Sequence, residues 1–201
     1  MIKNIVFDLG GVLLKFNPQN FLNHLGYNEE ESNILIQMIW ASDTWYRGDR
    51  GDFSYEEVID RICSDNPQYS DKIRYILENK DNSYILSENV KMVEYLRELK
   101  DRGYKIYILS NVNLVDLKYI SETFEFIKDV DGGVYSAEIH YAKPEKECYE
   151  VLFKKYNIKE NESVFIDDRQ DNIDMANSLG INGILCDNFE NVKNRVEKIM
   201  E

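Results

Sequence analysis

The sequence predicts an α/β fold, a doubly wound (Rossmann-like) parallel sheet core with a small helical cap inserted after the first strand. Four short and continuous apolar runs, rich in Ile, Val, Phe or Tyr, cover residues 2–7, 104–109, 164–166 and 181–186. Continuous apolar runs suit strands that are buried on both faces of a parallel sheet. Helical patterns lie between and after the later runs, and this strand–helix alternation is typical of doubly wound sheets.

The helices of the core are predicted from apolar residues at helical spacing. These patterns cover residues 90–99, 148–156, 173–179 and 189–200. Gly103 and Gly180 follow two of the patterns as stop signals. Since Pro is favoured in the first turn, we expect Lys143–Pro144 to open the helix that runs toward Tyr156.

Residues 16–87 interrupt the strand–helix alternation. They hold helical stretches at 19–25, 30–40, 55–63 and 70–78, and Ser54 with Glu57 forms a capping-box signature. Their many aromatic residues favour a packed element over a disordered linker. We therefore predict a core made of residues 1–15 and 88–201 and a helical cap made of residues 16–87.

The amino-acid composition limits which partners and which cell compartment we expect for the protein. Among 201 residues, 24 are basic and 37 acidic, which gives a formal net charge of −13. This charge argues against nucleic acid or an anionic membrane as a partner. With three cysteines in no C-x-x-C pair, no apolar leader and no run long enough to span a bilayer, we predict a cytoplasmic protein. The sequence leaves the oligomeric state open.

Polar residues follow three of the predicted strands. Asp8 closes the first run and precedes Gly10 and Gly11, which allow close approach of a ligand to the backbone. Ser110 and Asn111 close the second run, where a hydroxyl and an N–H can bind an anion. The alternatives are a strand-end Asp that bonds its own turn and an ordinary helix N-cap.

Two more features carry charge. Lys143 stands at a predicted helix start, where the helix dipole disfavours a cation, so either it is solvent-exposed or it reaches an anionic substrate. Asp167 and Asp168 follow the third run, with Asp171 close by. Helix capping explains one such carboxylate, but adjacent carboxylates repel each other, and Mg²⁺ offsets that repulsion.

Because the carboxyl ends of parallel strands meet at one edge of a sheet, these groups are expected to come together. A carboxylate, a hydroxyl, a lysine and a carboxylate pair suit phosphoryl transfer, with the metal and the lysine spreading the transferred charge.

The order of these motifs resembles the haloacid dehalogenase superfamily. The motifs are Phe7 to Val12, Leu109 to Asn111, Lys143–Pro144 and Phe165 to Asp168, and the segment from Asp167 to Gly180 adds to the likeness. Within the superfamily, the chain is similar to sugar-phosphate phosphatases such as α-glucose-1-phosphate phosphatase, and to the amino-terminal phosphatase domain of soluble epoxide hydrolase. The insert stands where these enzymes carry a helical cap.

The resemblance implies a role for each motif residue. Asp8 attacks phosphorus and forms an aspartyl-phosphate. Mg²⁺ is held by the Asp8 carboxylate, the Gly10 carbonyl and Asp168, with Asp167 in support. Ser110 and the Asn111 N–H bind the phosphoryl oxygens, and Lys143 neutralises their charge. The implied substrate is a small phosphorylated metabolite, most simply a sugar phosphate.

Gly10 departs from the superfamily pattern. Most of its phosphatases have a second Asp there, which acts as general acid and base. Loss of a proton donor typically costs about 10²–10⁴-fold in rate. The sequence names no substitute acid: the alternatives are an anomeric leaving group and a cap residue near residues 17–24 or 43–47. Trp45 is the candidate for a substrate contact.

Three alternatives stay open. A metal-independent 2-haloacid dehalogenase also lacks the second Asp, but it has no need of the Asp167–Asp168 pair. A non-catalytic binding protein would explain Gly10 as lost chemistry, although the other motifs are complete. A phosphomutase would need the acid–base residue that Gly10 removes.

Overall fold

A computed structural model describes the whole chain, residues 1–201. Five parallel strands form one sheet in the order β5-β4-β1-β6-β7, and two short antiparallel strands, β2 and β3, form a second sheet. The strands are β1 (Asn4–Phe7), β2 (Leu14–Phe16), β3 (Leu86–Glu88), β4 (Lys105–Ser110), β5 (Gly132–Tyr135), β6 (Ser163–Asp167) and β7 (Asn182–Leu185). The predicted parallel α/β core is confirmed.

Twelve α-helices surround and extend this sheet. Six lie between β2 and β3: α1 (Pro18–His24), α2 (Glu29–Met38), α3 (Asp43–Arg50), α4 (Tyr55–Asp65), α5 (Ser70–Glu78) and α6 (Asn82–Ile85). Six follow β3: α7 (Val90–Asp101), α8 (Leu114–Thr123), α9 (Ser136–Ile139), α10 (Lys146–Tyr156), α11 (Gln170–Ser178) and α12 (Phe189–Met200). Three short 3₁₀ turns lie at Pro67–Tyr69, Glu125–Asp129 and Glu160–Glu162. No helix combines the length and the apolar character needed to cross a bilayer.

Both faces of the five-stranded sheet are covered, as continuous apolar strands require. Ile5 and Phe7 of β1 pack with α7 and α12, whereas Val6 between them packs with α10 and α11. Side chains alternate across a strand, so one run of apolar residues serves two separate helical layers. This explains why the strand sequences are apolar throughout rather than at every second position.

The structure adds elements that the sequence analysis did not anticipate. The strand β5 is one of them; because two of its four residues are glycines, it does not form a continuous apolar run in the sequence. Gly132 is needed there because a Cβ would lie 2.4 Å from the ring of Tyr156. Helices α3 and α6 and the β2–β3 pair were also not predicted.

The expected helix start at Lys143–Pro144 is wrong. Helix α10 begins at Lys146, and the Lys143–Pro144 bond is cis, within a turn closed by the Glu145 N–H and the Ala142 carbonyl at 2.7 Å. The side chain of Asn111 binds the backbone of Lys143 and holds this segment as a loop.

Strand order explains where polar residues gather. The chain runs from β1 to β4 and β5 on one side, then returns to β6 and β7 on the other. β1 therefore lies at the reversal of strand order, where doubly wound sheets bind ligands. Phe7 pairs with Ile108 of β4 and with Ile166 of β6, so the three strands end at nearly the same level.

Candidate active site

Lys143 joins two of the predicted carboxylates. Its Nζ lies 2.8 Å from Asp8 Oδ1 and 2.6 Å from Asp167 Oδ2. All three side chains are buried, with Lys143 only 2% exposed. The loop before α10 therefore brings the lysine to the carboxyl ends of β1 and β6. The exposed position that was an alternative for Lys143 is excluded.

Asn111 positions the lysine through its backbone. The Lys143 N–H donates to Asn111 Oδ1 at 2.8 Å, and Asn111 Nδ2 donates to the Lys143 carbonyl at 2.9 Å. Both the oxygen and the nitrogen of the Asn111 side chain bind in this clamp, and the backbone N–H of Asn111 stays available to an anion. This N–H has no acceptor within the protein.

The two adjacent carboxylates after β6 have different surroundings. Asp167 is fully buried, and its Oδ1 accepts from the Arg169 N–H at 2.8 Å and from Asn172 Nδ2 at 2.9 Å. Since Oδ2 binds Lys143, both oxygens of Asp167 are engaged. Asp168 is open to the cavity. The pair therefore divides into a carboxylate that orients Lys143 and one that is free to bind a ligand.

Three carboxylates nevertheless form one cluster. Oxygens of Asp8, Asp167 and Asp168 lie within 4.8 Å of one another. Gly11 makes the close approach of Asp168 feasible: its φ is +73°, and a Cβ there would lie 2.2 Å from Asp168 Oδ2. Hard oxygen donors in such a group fit a divalent cation such as Mg²⁺.

The charges of the cluster shift the acidities of its members. Burial raises the pKa of Asp8 to about 7; the attraction of Lys143 lowers this pKa, and repulsion from Asp167 and Asp168 adds to the rise. Burial also raises the pKa of Asp168, and Asp167 adds to the shift. Burial alone would lower the pKa of Lys143, but the Asp8 and Asp167 carboxylates outweigh it and raise that pKa. The single positive charge of Lys143 therefore does not neutralise the three carboxylates of the cluster.

The remaining motif residues border the same space. Ser110, at the end of β4, is 3% exposed and lines the cavity above the sheet. Gly10 also lines it, and a Cβ at Gly10 would meet no atom within 4 Å. The structure therefore brings together every residue that the motifs singled out: Asp8, Gly10, Ser110, Asn111, Lys143, Asp167 and Asp168.

Two adjoining cavities lie between the sheet edge and the helices of residues 18–85. The larger has a volume of about 350 Å³ and reaches Gly10, Ser110 and Asp168. The smaller, of about 260 Å³, reaches Asp8 and Lys143. Trp40, Trp45, Asp49 and Asn111 line both cavities. Trp45, expected to contact substrate, is thus placed at the boundary between the two spaces.

Sequence reasoning missed several residues of these walls. Asp49 lies in the last turn of α3, and Lys80, Asn82 and Asp116 line the larger cavity as one polar group. A signal for α3 was present in the sequence, because Ser42 caps its first turn and Gly51 ends it at φ +86°. No local pattern marks Lys80 or Asp116, which meet only in three dimensions.

A polar network links these wall residues. Asp116 accepts from Lys80, from Asn82 at 2.7 Å and from Asn113 at 2.9 Å. Lys80 also lies 5.3 Å from the ring centre of Trp45. Both carboxylate oxygens of Asp116 are therefore satisfied within the protein, whereas the lysine keeps donors in excess of its one acceptor.

Known proteins are similar in sequence to this chain over most of its length. A family model for haloacid dehalogenase-like hydrolases matches residues 2–180. A sesquiterpene phosphatase of Aspergillus oryzae is 26% identical over 187 residues, which cover 90% of this chain and 88% of that protein. A D-ribitol-5-phosphate phosphatase of Bacteroides thetaiotaomicron is 22% identical over 190 residues, which cover 90% of this chain and 89% of that protein.

Solved structures share the fold. The crystal structure of a haloacid dehalogenase family enzyme from Bacteroides thetaiotaomicron, in a magnesium complex, matches with a TM-score of 0.69 at 25% identity and covers 92% of each chain. The sheet order, the carboxylates and lysine at its edge and the match over residues 2–180 lead to one conclusion. The chain belongs to the haloacid dehalogenase-like hydrolases.

Proposed function

We propose that the protein is a magnesium-dependent phosphatase that hydrolyses a small phosphorylated metabolite through an aspartyl-phosphate at Asp8. The observation that carries the proposal is the contact of Lys143 with both Asp8 and Asp167, beside the cavity-facing Asp168. Both phosphatases among the relatives support this reaction class.

Asp8 is the proposed nucleophile. Its Oδ1 accepts from the Leu9 N–H at 2.7 Å and contacts Lys143, whereas Oδ2 has no hydrogen-bond donor in the protein. Attack of a carboxylate oxygen on phosphorus forms the aspartyl-phosphate and releases the alcohol. Water then attacks phosphorus, and phosphate leaves. Lys143, the Ser110 hydroxyl and the Asn111 N–H are the proposed ligands of the phosphoryl oxygens.

Asp8, Asp168 and the Gly10 carbonyl are the proposed Mg²⁺ ligands. Asp167 is assigned a supporting role, because Lys143, Asn172 and the Arg169 N–H already occupy its oxygens. When bound, Mg²⁺ would supply positive charge against the transferring phosphoryl group.

A sugar or polyol phosphate is the proposed substrate class. The larger cavity, of about 350 Å³, suits a small metabolite, and Lys80 and Asn82 offer polar contacts beyond the phosphate. The relative that acts on D-ribitol 5-phosphate supports this class. The helices of residues 16–87 are proposed to act as the cap that selects the alcohol.

A phosphate ester of an apolar alcohol is the second candidate. Leu9, Leu14, Phe16, Leu86 and Ile120 give the same cavity an apolar side, and one relative is a sesquiterpene phosphatase. A comparison of kcat/KM for hexose phosphates and for a C15 terpenyl monophosphate distinguishes the two substrate classes.

The dehalogenase alternative is disfavoured because displacement at carbon gives no role to Asp168. Chloride release from 2-chloropropionate tests this alternative.

The decisive experiment measures p-nitrophenyl phosphate hydrolysis with Mg²⁺ and with a chelator. Activity should require Mg²⁺, and acid-quenched protein should carry a hydroxylamine-sensitive phosphate. Asp8→Asn should lose turnover by about 10³-fold or more with its fold intact. The control is Asp174→Asn, an exposed carboxylate on α11, which should keep activity. Activity in a folded Asp8→Asn protein would refute the covalent mechanism.

A further inference from the structure

Asp49 stands where the two cavities adjoin. Of the four residues that line both spaces, it is the only one with a titratable side chain; the others are Trp40, Trp45 and Asn111. It comes from α3, whereas Gly10, which also lines the larger cavity, has no side chain. A group on Asp49 therefore faces the space that connects the nucleophile's cavity with the one proposed for the alcohol.

The core holds this carboxylate by one oxygen. Asp49 Oδ1 accepts from the Asn113 N–H at 3.1 Å and from Asn113 Nδ2 at 2.9 Å, and its backbone carbonyl accepts from the Ser136 hydroxyl. Asn113 is itself fixed by Asp116, whose N–H donates to its Oδ1 at 2.9 Å. Asp49 Oδ2 has no partner in the protein. The arrangement fixes the carboxyl group and leaves one oxygen for a ligand.

The anchor comes from the loop that binds phosphate in the proposed reaction. Asn113 is two residues after Asn111 and three after Ser110. The position of Asp49 is therefore set relative to the phosphoryl group and not only relative to the cap. A residue that served merely to tie the cap to the core would have no need of a free oxygen at the cavity.

The surroundings of Asp49 favour its protonated form. Burial raises the pKa of Asp49 to about 7, and Asp116 adds to the shift, while Asn113 and Lys80 oppose it. The side chain also lies in the last turn of α3, where the helix dipole disfavours an anion. A carboxyl group that exchanges its proton near neutral pH is suited to act both as acid and as base.

We propose that Asp49 is the acid–base residue of the phosphatase reaction, in place of the carboxylate missing at Gly10; this rests on the proposed function. As the Asp8 oxygen bonds to phosphorus and the ester P–O bond breaks, the electron pair goes to the leaving oxygen, which takes the proton of Asp49. Asp49 then accepts a proton from the water that attacks phosphorus. The bond between the Asp8 oxygen and phosphorus breaks, inorganic phosphate is released, and the Asp8 carboxylate and protonated Asp49 are restored.

The test compares leaving groups in wild type and Asp49→Asn, which keeps an oxygen for Asn113. Since p-nitrophenolate leaves without a proton, kcat/KM for p-nitrophenyl phosphate should change only a few-fold. For alkyl phosphates it should fall about 10²-fold or more, because an alkoxide needs the proton. Asp43→Asn, an exposed carboxylate at the start of the same helix, is the matched control and should leave both values unchanged.

A second variant separates loss of the proton donor from loss of position. Gly10→Asp adds a carboxylate to the wall of the larger cavity at a position free of steric contact, and in the Asp49→Asn background it should restore alkyl phosphate turnover selectively.

The outcomes are distinct. An equal loss of kcat/KM for both substrates in a folded Asp49→Asn protein, with no selective rescue by Gly10→Asp, would assign Asp49 a purely structural role. That result would overturn the acid–base role alone. Unchanged alkyl phosphate turnover would do the same. Absence of phosphatase activity in wild type with Mg²⁺ would overturn the proposed function and this role together.

Discussion

At the scale of single residues, Lys143 links the charged groups of the site. One buried ammonium contacts two carboxylates, and a third, Asp168, lies within the same cluster. Burying like charges together is costly unless another cation compensates them. Burial raises the pKa of Asp8 to about 7, and repulsion from Asp167 and Asp168 adds to the rise against the attraction of Lys143.

This imbalance gives a prediction for Asp168→Ala. Removing this cavity-facing carboxylate should weaken Mg²⁺ binding by about tenfold or more, because a direct oxygen ligand is lost. Without metal, the variant should be at least as stable as wild type, since a repulsive charge is gone. Calorimetric titration and thermal unfolding measure the two effects, with Asp174→Ala as control. Unchanged Mg²⁺ affinity would show that Asp168 is not a metal ligand.

Most of the motif residues could be predicted from the sequence because they lie at the carboxyl end of an apolar strand, although Lys143 does not. Asp8, Ser110 and Asp167 need only the rule that parallel strands end at one edge. Asp49 could not be placed in this way, since it lies on a helix outside the sheet and meets the site only through the packing of α3. The expected region, residues 43–47, stopped two residues short of it.

At the scale of elements, α3 connects the helices of residues 18–85 with the loops at the sheet edge. Arg50 binds Glu145 through Nε and Nη2 at 2.7 and 3.1 Å, next to the turn that carries Lys143. One residue earlier, Asp49 binds Asn113. The last turn of one helix thus contacts both loops that supply the proposed phosphate-binding groups.

The junction at Asp49 predicts a pH dependence of stability. Its folded-state pKa, about 7, lies above the ordinary value of 3.8, so the folded protein holds a proton that the unfolded chain has lost between these values. Stability should therefore fall as pH rises through this window. Asp49→Asn, always neutral, should lose less stability than wild type between pH 5 and pH 8, by roughly 1–3 kcal/mol.

Urea unfolding of both proteins at the two pH values, in chelator, measures this difference. Asp8 also has a raised pKa, but it is present in both proteins and cancels. Asp43→Asn should follow wild type. Parallel curves for Asp49→Asn and wild type would mean that the Asp49 carboxyl titrates in its ordinary range.

Element prediction from sequence succeeded where a strand or helix carries its own apolar pattern. The strands β1, β4 and β6 are such cases. β5 failed because Gly132 and Gly133 replace apolar residues where Tyr156 crosses the sheet edge. β2 and β3 have three residues each, and their pairing joins segments about 70 positions apart, which no local pattern can show.

At the scale of the whole molecule, the antiparallel strands β2 and β3 mark where the chain leaves the core sheet and where it returns to it. Phe16 of β2 faces Leu86 of β3, so all residues from 17 to 85 depart and return at adjacent points. This connection supports the proposed division into core and cap. It also allows the helices between these points to be exchanged as a unit.

Exchange of residues 17–85 for those of a relative should therefore change which phosphate esters are preferred while Mg²⁺ affinity stays within a few-fold. The cavity walls from Trp40 to Asn82 would change, but the proposed metal ligands would not. A panel of sugar, polyol and terpenyl phosphates measures the preference. The same ranking before and after exchange would assign specificity to the loops of the core.

The placement of the two tryptophans has a practical consequence. The chain has only Trp40 and Trp45, their rings lie 6.0 Å apart, and both border the two cavities. Indole emission from the entire protein therefore originates beside the site, and none arises from a distant background fluorophore of the same kind. With selective excitation over the 14 tyrosines, ligand entry can be followed in unlabelled protein, in real time and before any chemistry occurs.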